Sequence, residues 1–243
     1  MKKAFTLAEV LITLGIIGLV AALTLPSVVQ NYQKRSLEVA TQKFYSVMSQ
    51  AIKQYMADEG VDDLRQSSLS TTDEDSDEIV IAKNDEFFKK YLKAQICEDG
   101  CFADNYKTQS GETSYAVGKS IEIYNKGRFL LPDGMVVDTF VEPVIGDSDT
   151  PGELFVDVNG LKGPNKIGYD LWVMEVFYDG TIDESELTPE CRKNNNNCIG
   201  NFGSTPKEIR DNRFLECRSV DSNIEAYGGC FGHFLENGFK FDY

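Results

Sequence analysis

The 243 residues hold one histidine, His233, and one tryptophan, Trp172. A single imidazole leaves Ser-His and Cys-His nucleophile machinery with one candidate base. It also offers at most one nitrogen ligand to a zinc site. No Cys-x-x-Cys pair occurs, and no Gly-x-Ser-x-Gly, His-Glu-x-x-His or Walker-type phosphate loop. Positive charge is scarce: 24 Lys and Arg stand against 39 Asp and Glu, a net charge of −15. That balance argues against nucleic acid, and against anionic lipid, as partners of the soluble part. Acidic clusters such as Asp183-Glu184-Ser185-Glu186 read as solvated turn residues, and no carboxylate pair stands out as a hydrolytic couple. The expectation is a protein that is not an enzyme.

What the sequence does have is one long apolar run near its start. Lys2, Lys3 and Ala4 precede Phe5-Thr6-Leu7-Ala8-Glu9-Val10, and apolar residues then continue through Leu23 to Pro26 and Val29. Glu9 is the only charge between Phe5 and Val29. About twenty-five helical residues at roughly 1.5 Å each exceed a hydrocarbon core of about 30 Å. A secretory signal peptide, cut after small residues near Val20 and Ala22, is one reading, although Glu9 interrupts the apolar region and helical periodicity runs past such a cut. A plain single-pass anchor is another.

The third reading comes from a resemblance. Lys-Lys-Ala followed by Phe-Thr-Leu-x-Glu-Val resembles the cleavage and methylation signature of type IV pilins and type II secretion pseudopilins. The resemblance covers roughly the first thirty residues. It implies that a prepilin peptidase cuts between Ala4 and Phe5, that Phe5 becomes an N-methylated first residue, and that the helix is kept. It also implies that Glu9 becomes the fifth residue and sets assembly register against the Phe5 amine of a neighbour. A buried ion pair suits such a role because a misplaced subunit leaves a charge unpaired. Snorkelling of Glu9 to the headgroups is the alternative. Gly15, Gly18 and Pro26 fall where such helices carry small residues and a kink. Loss of Lys2 and Lys3 would take the net charge from −15 to −17.

Six cysteines, at 97, 101, 191, 198, 217 and 230, are an even number, which on an exported chain reads as disulfides in an oxidising compartment. Fifteen pairings are open. The local set, Cys97 with Cys101, Cys191 with Cys198 and Cys217 with Cys230, closes short loops, but the sequence does not choose.

Beyond Pro26 the apolar residues Leu37, Ala40, Phe44, Val47, Met48, Ala51, Ile52 and Tyr55 recur at helical spacing among polar ones. One helix from 5 to about 57 is therefore predicted, on the order of 80 Å long. Pro26 removes one hydrogen bond and predicts a kink or loosened turn, and Gly60 closes the helix. Residues 1–4 are then a leader, 5–30 an apolar half-helix, 31–57 an amphipathic half, and 58–243 a single head. Ser67 to Glu78 reads as a mobile surface loop and Asp85 to Ala94 as a short helix. Strands are predicted at 121–124, 128–131, 135–137, 153–158 and 170–178, with a hairpin across Pro132-Asp133-Gly134. A last hairpin would pair 233–235 with 239–241. Trp172 belongs to the core. The fold class is α+β: a long N-terminal helix packed on an antiparallel, disulfide-bonded head.

Within the head, residues 157–170 form the most motif-like stretch. Asp157, Asn159 and Asp170 offer oxygen ligands to calcium, although the spacing departs from an EF-hand. The stretch also resembles a DVNG…GPN…G…D turn of pilin-like heads, where Asn and Asp cap the backbone. The turn is the preferred reading, and no other cofactor is expected. Asn194 to Asn197 reads as a loop tip between Cys191 and Cys198, with a recognition role as its alternative.

The resemblance implies a structural subunit of a type IV pilus-like or type II secretion filament. Its partners would be like subunits, the prepilin peptidase and the inner-membrane assembly machinery. It would span the membrane once with Lys2 and Lys3 inside and the head outside, then enter a periplasmic or extracellular filament. A minor tip subunit with a binding head is the alternative, and a membrane-anchored exported enzyme a more distant one.

Overall fold

A computed structural model describes residues 6–72, 75–97, 100–103, 105–114, 128–140, 152–194, 198, 200–219 and 228–243. The predicted strand at 121–124 and residues 195–197 of the asparagine run lie outside these.

Helix α1 spans Leu7–Glu59. Thr6 caps its start: the Glu9 N–H donates to Thr6 Oγ1 at 3.3 Å while Glu9 Oε2 accepts the Thr6 N–H at 2.8 Å, a reciprocal capping box. Gly60 ends the helix in the left-handed conformation (φ 70°), and its N–H satisfies terminal carbonyls. The helix continues through Pro26, where a single missing N–H removes one bond without ending it.

Only the second half of α1 is packed. Leu37, Thr41, Phe44, Met48, Ala51 and Tyr55 are buried at steps of three or four, with Ile52 beside Ala51, the stripe a helix presents to one neighbour. A 3₁₀ turn (Leu64–Gln66) leads to α2 (Asp77–Leu92). The stretch expected to be a mobile loop is partly anchored, because Ser67 and Thr71 are buried and Ser67 Oγ donates to Leu64 O at 2.7 Å. Helix α2 also starts eight residues earlier than its aromatic pattern indicates, with Asp77 and Glu78 in its first turn, where the helix dipole favours carboxylates.

The sheet holds β1 (Gln95–Ile96), β4 (Arg128–Leu130), β5 (Val136–Phe140), β6 (Gly152–Asp157), β7 (Leu171–Val176) and β8 (Ile182–Asp183), in the order β1-β4-β5-β6-β7-β8. Every pairing is antiparallel, so β4 to β8 form a meander with β1 on its edge. Strands β2 (Tyr106–Lys107) and β3 (Thr113–Ser114) make a separate hairpin. Register aligns Phe129, Val137, Val156 and Trp172 in one cross-strand row, all buried. Phe88 of α2 stacks on Phe129 with ring centres 4.3 Å apart. The next row, Arg128, Asp138, Phe155 and Val173, points to the opposite side, as pleating requires.

Three short helices follow: α3 (Pro189–Asn194), α4 (Pro206–Ser219) and α5 (Cys230–Glu236). The last hairpin expected from His-Phe-Leu and Phe-Lys-Phe alternation is not formed. Residues 230–236 are helical because Phe231 and Phe234, three apart, both enter the core, where Phe234 lies 4.5 Å from Trp172 between ring centres. Residues 239–241 cross the foot of α1 instead: the Phe241 N–H and Lys240 Nζ both donate to Glu38, at 2.9 and 3.1 Å.

Candidate functional site

The first half of α1 stands apart from the head. From Leu7 to Val29 its large apolar side chains are exposed, and no part of its most apolar window is buried. Its length and composition suffice to cross a membrane, a property shared by anchors and signal sequences. Gly15 and Gly18 lie on this bare segment with no atom outside the helix near them, which leaves two shallow places for another helix to approach. Glu9 is engaged by Thr6, so one charged residue of the segment already has a local partner. Pro26 lies inside the helix, one turn before the end of the bare apolar run at Val29. Ala4 and Phe5, the residues of the expected cleavage, lie outside the described residues.

Asp157, Asn159 and Asp170 come together in the turn between β6 and β7. Asp157 accepts the Tyr106 hydroxyl at 2.6 Å and the Asn159 N–H at 3.1 Å. Asp170 accepts the N–H groups of Asn165 and Lys166 at 2.7 and 2.6 Å. All four carboxylate oxygens thus cap backbone or receive a phenol, the arrangement of a self-capped turn. Burial pushes Asp157 up to about 7; the Tyr106 hydroxyl opposes this and the Asp170 charge adds to it. Asn159 Oδ1 is buried without a partner, but a calcium ion would have to displace these caps from the carboxylates. Among the described residues no group of three His, Cys, Asp or Glu is placed to hold a metal.

The cysteines pair as Cys97–Cys101, Cys191–Cys198 and Cys217–Cys230, the local set. The last joins α4 to α5. Asp183 and Glu184, expected to be solvated, are buried. Arg210 donates to both oxygens of Asp183 at 2.8 and 2.7 Å. Glu184 accepts the Gly229 and Gly232 N–H groups at 3.1 and 3.0 Å and lies 3.5 Å from Arg213. These two carboxylates fasten α4 and α5 to β8, and burial raises both their pKa values against the opposing arginines. Their arginine partners lie 27 and 29 residues onward, a separation that carries no local signal. His233 stacks on Phe214 at 3.8 Å and shares Asp242 with Asn237, so the one imidazole sits in a structural contact.

Comparison with protein families matches residues 27–121 to a family of unknown function (DUF6613). The match begins at Ser27, just past Pro26, and spans the packed half of α1, α2 and β1 to β3, under half of the chain. No curated protein and no solved structure matches.

Proposed function

We propose that this chain is a structural subunit of a type IV pilus-like or type II secretion filament, assembled through the first half of α1. The observation that carries the reading is the bare apolar half-helix beside a head that closes its own core without it. A surface of that size, unused by its own fold, needs lipid or other helices to cover it. The Lys-Lys-Ala-Phe-Thr-Leu-x-Glu-Val pattern supports cleavage before Phe5, which would place a new cationic amine one residue ahead of the Thr6 cap that holds Glu9. Before assembly the segment crosses the membrane once with the head outside. Moving it from lipid into a bundle of like helices exchanges one apolar surface for another, so the transfer itself costs little, and a head-to-tail contact that does not close generates a fibre.

Intact-mass and N-terminal analysis of the protein from native membranes or sheared filaments tests this. The expected result is a mature chain starting at methylated Phe5 and present in filaments. A start beyond Ala22 would make the chain a freely secreted domain and end the filament reading. An intact Met1 in cells that contain the peptidase would leave only an anchor.

A further inference from the structure

The head's charge is segregated along α1. Asp58, Glu59, Asp62 and Asp63 gather at the far end of the helix, whereas lysines collect where it leaves the apolar segment. Lys34 follows Val29 by five residues, about 7.5 Å along the axis. Its Nζ lies 5.7 Å from the centre of the Tyr169 ring, and Lys166 Nζ lies 4.7 Å from the same ring. A backbone bridge sets Lys107 beside Lys166: the Lys107 N–H donates to Asn165 O at 2.8 Å and the Ile167 N–H to Lys107 O at 2.9 Å. Burial first, then the charges of Lys34 and Lys107, lower the pKa of Lys166.

Among the described residues at this end, Glu38 holds Lys240, Asp133 holds Lys43 and Asp170 caps the turn beneath, while Asp242 is hydrogen-bonded to His233 and Asn237. Among the described residues Lys107 and Lys166 have no ion-pair partner. Lys34 gives one of its three N–H donors to the main-chain oxygen of Tyr243, at 2.7 Å.

We propose that this foot is a docking surface for anionic phospholipid, with the ammonium groups of Lys34 and Lys166 beside Tyr169, and of Lys107 on the strand bridged to Lys166, engaging headgroup phosphates at the surface where α1 emerges. The proposal rests on the reading of the apolar half-helix as membrane-spanning. Its geometry follows from that reading: the headgroup layer is on the order of 5–7 Å deep on each side, within reach of lysines about one and a half turns past the apolar end. Lysine stems extend along apolar surface while the charge reaches outward. Exposed Tyr32 lies two residues before Lys34 on α1, and exposed Leu161 lines a cleft with Ser36 and Ala40, the amphipathic and apolar contacts an interface favours. The net charge of −15 does not decide against this. The acidic end of α1 lies about 37 Å away along the helix, several Debye lengths of about 8 Å, so screening separates the two ends.

The test uses the full chain reconstituted in phosphatidylcholine vesicles with and without phosphatidylglycerol. Energy transfer from Trp172, the only tryptophan, to a dansyl headgroup lipid reports how closely the head docks. Transfer is expected to rise with phosphatidylglycerol and to fall as salt is raised. A cation at an anionic surface is worth about fivefold in association. The K34Q/K107Q/K166Q variant should therefore lower the docked-to-undocked ratio on the order of 100-fold in anionic vesicles and leave neutral vesicles unchanged. K107Q/K166Q, which keeps the Lys34–Tyr243 contact, should lower it about 25-fold. Transfer indifferent to phosphatidylglycerol and salt would overturn the proposal. So would a variant that docks like the parent but loses cross-linking between copies, since the lysines would then meet the acidic end of a second copy. Alkaline extraction reads the underlying assumption separately. A chain stripped from the vesicles refutes the span and the foot together, whereas a retained chain with charge-independent transfer refutes the foot alone.

Discussion

Replacing Asp157 by Asn probes the packing between the β6–β7 turn and the β2–β3 hairpin. Asp157 is fully buried, in register with Val136 and Leu171, and burial raises its pKa from 3.8 to about 7. Between those values the folded protein keeps the proton that the unfolded chain has released. The contribution of this group to stability is therefore fully present below about pH 4 and is lost as pH rises through about 7. A gap of about three pKa units at 1.36 kcal/mol each is on the order of 4 kcal/mol. Asn reproduces the neutral side chain at every pH and can still accept the Asn159 N–H. The stability of Asp157→Asn relative to the parent should thus rise by on the order of 4 kcal/mol between about pH 4 and pH 8, at no more than about 1.4 kcal/mol per pH unit. Denaturant midpoints followed by Trp172 emission, with the full chain in a neutral detergent, give this difference. Asp138, also raised to about 7 by burial, titrates in both proteins and drops out of the subtraction. A relative stability that stays flat across the range would refute the burial argument and mean that water or a cation reaches the carboxylate.

Three further outcomes follow from the head. Replacing Cys217 and Cys230 together by Ser opens a loop closed across 13 positions and should cost about 3 kcal/mol, read as a lowered denaturant midpoint; an unchanged midpoint would mean that Asp183 and Glu184 hold α4 and α5 unaided. Glu184→Ala leaves the Gly229 and Gly232 N–H groups without their acceptor, while Arg213 keeps Glu216, with an expected loss of about 1–3 kcal/mol for each N–H left unsatisfied. Loss below about 1 kcal/mol in the same assay would show that water enters there and that the carboxylate is not the fastener. Gly160→Ala places a Cβ 2.9 Å from Gly134 O at a φ of 63°, so about 1–3 kcal/mol of destabilisation is expected, and a neutral result would mean that the two turns separate freely.

Much of the architecture was legible along the chain because its signals are local. The apolar run after Phe5, the spacing from Leu37 to Tyr55 and Gly60 placed α1 within two residues of its observed bounds, 5 to about 57 against Leu7–Glu59. Alternation and the Pro132-Asp133-Gly134 turn placed β4 and β5, and the run around Trp172 placed β7. The C-terminal region was not legible in the same way. Helix α4 has few apolar residues to show a period, and α5 is only two turns long, so Phe231 and Phe234 could equally have belonged to a strand until Trp172 and Tyr45 gave them a surface. Asp183 and Glu184 read as solvated for the same reason.

By itself the sequence determined the long helix, its division near residue 30 into an apolar and an amphipathic half, the α+β class and the charge total, most of which depend on neighbours within a few residues. Tertiary structure alone decided which pairing six cysteines adopt, which carboxylates lose water, and that Lys34 and Lys166 share one aromatic ring. Contacts such as Asp183–Arg210 and Glu184–Gly229, 27 and 45 positions apart, leave no periodic trace, because they exist only once the sheet and its turns bring distant segments within a few ångströms.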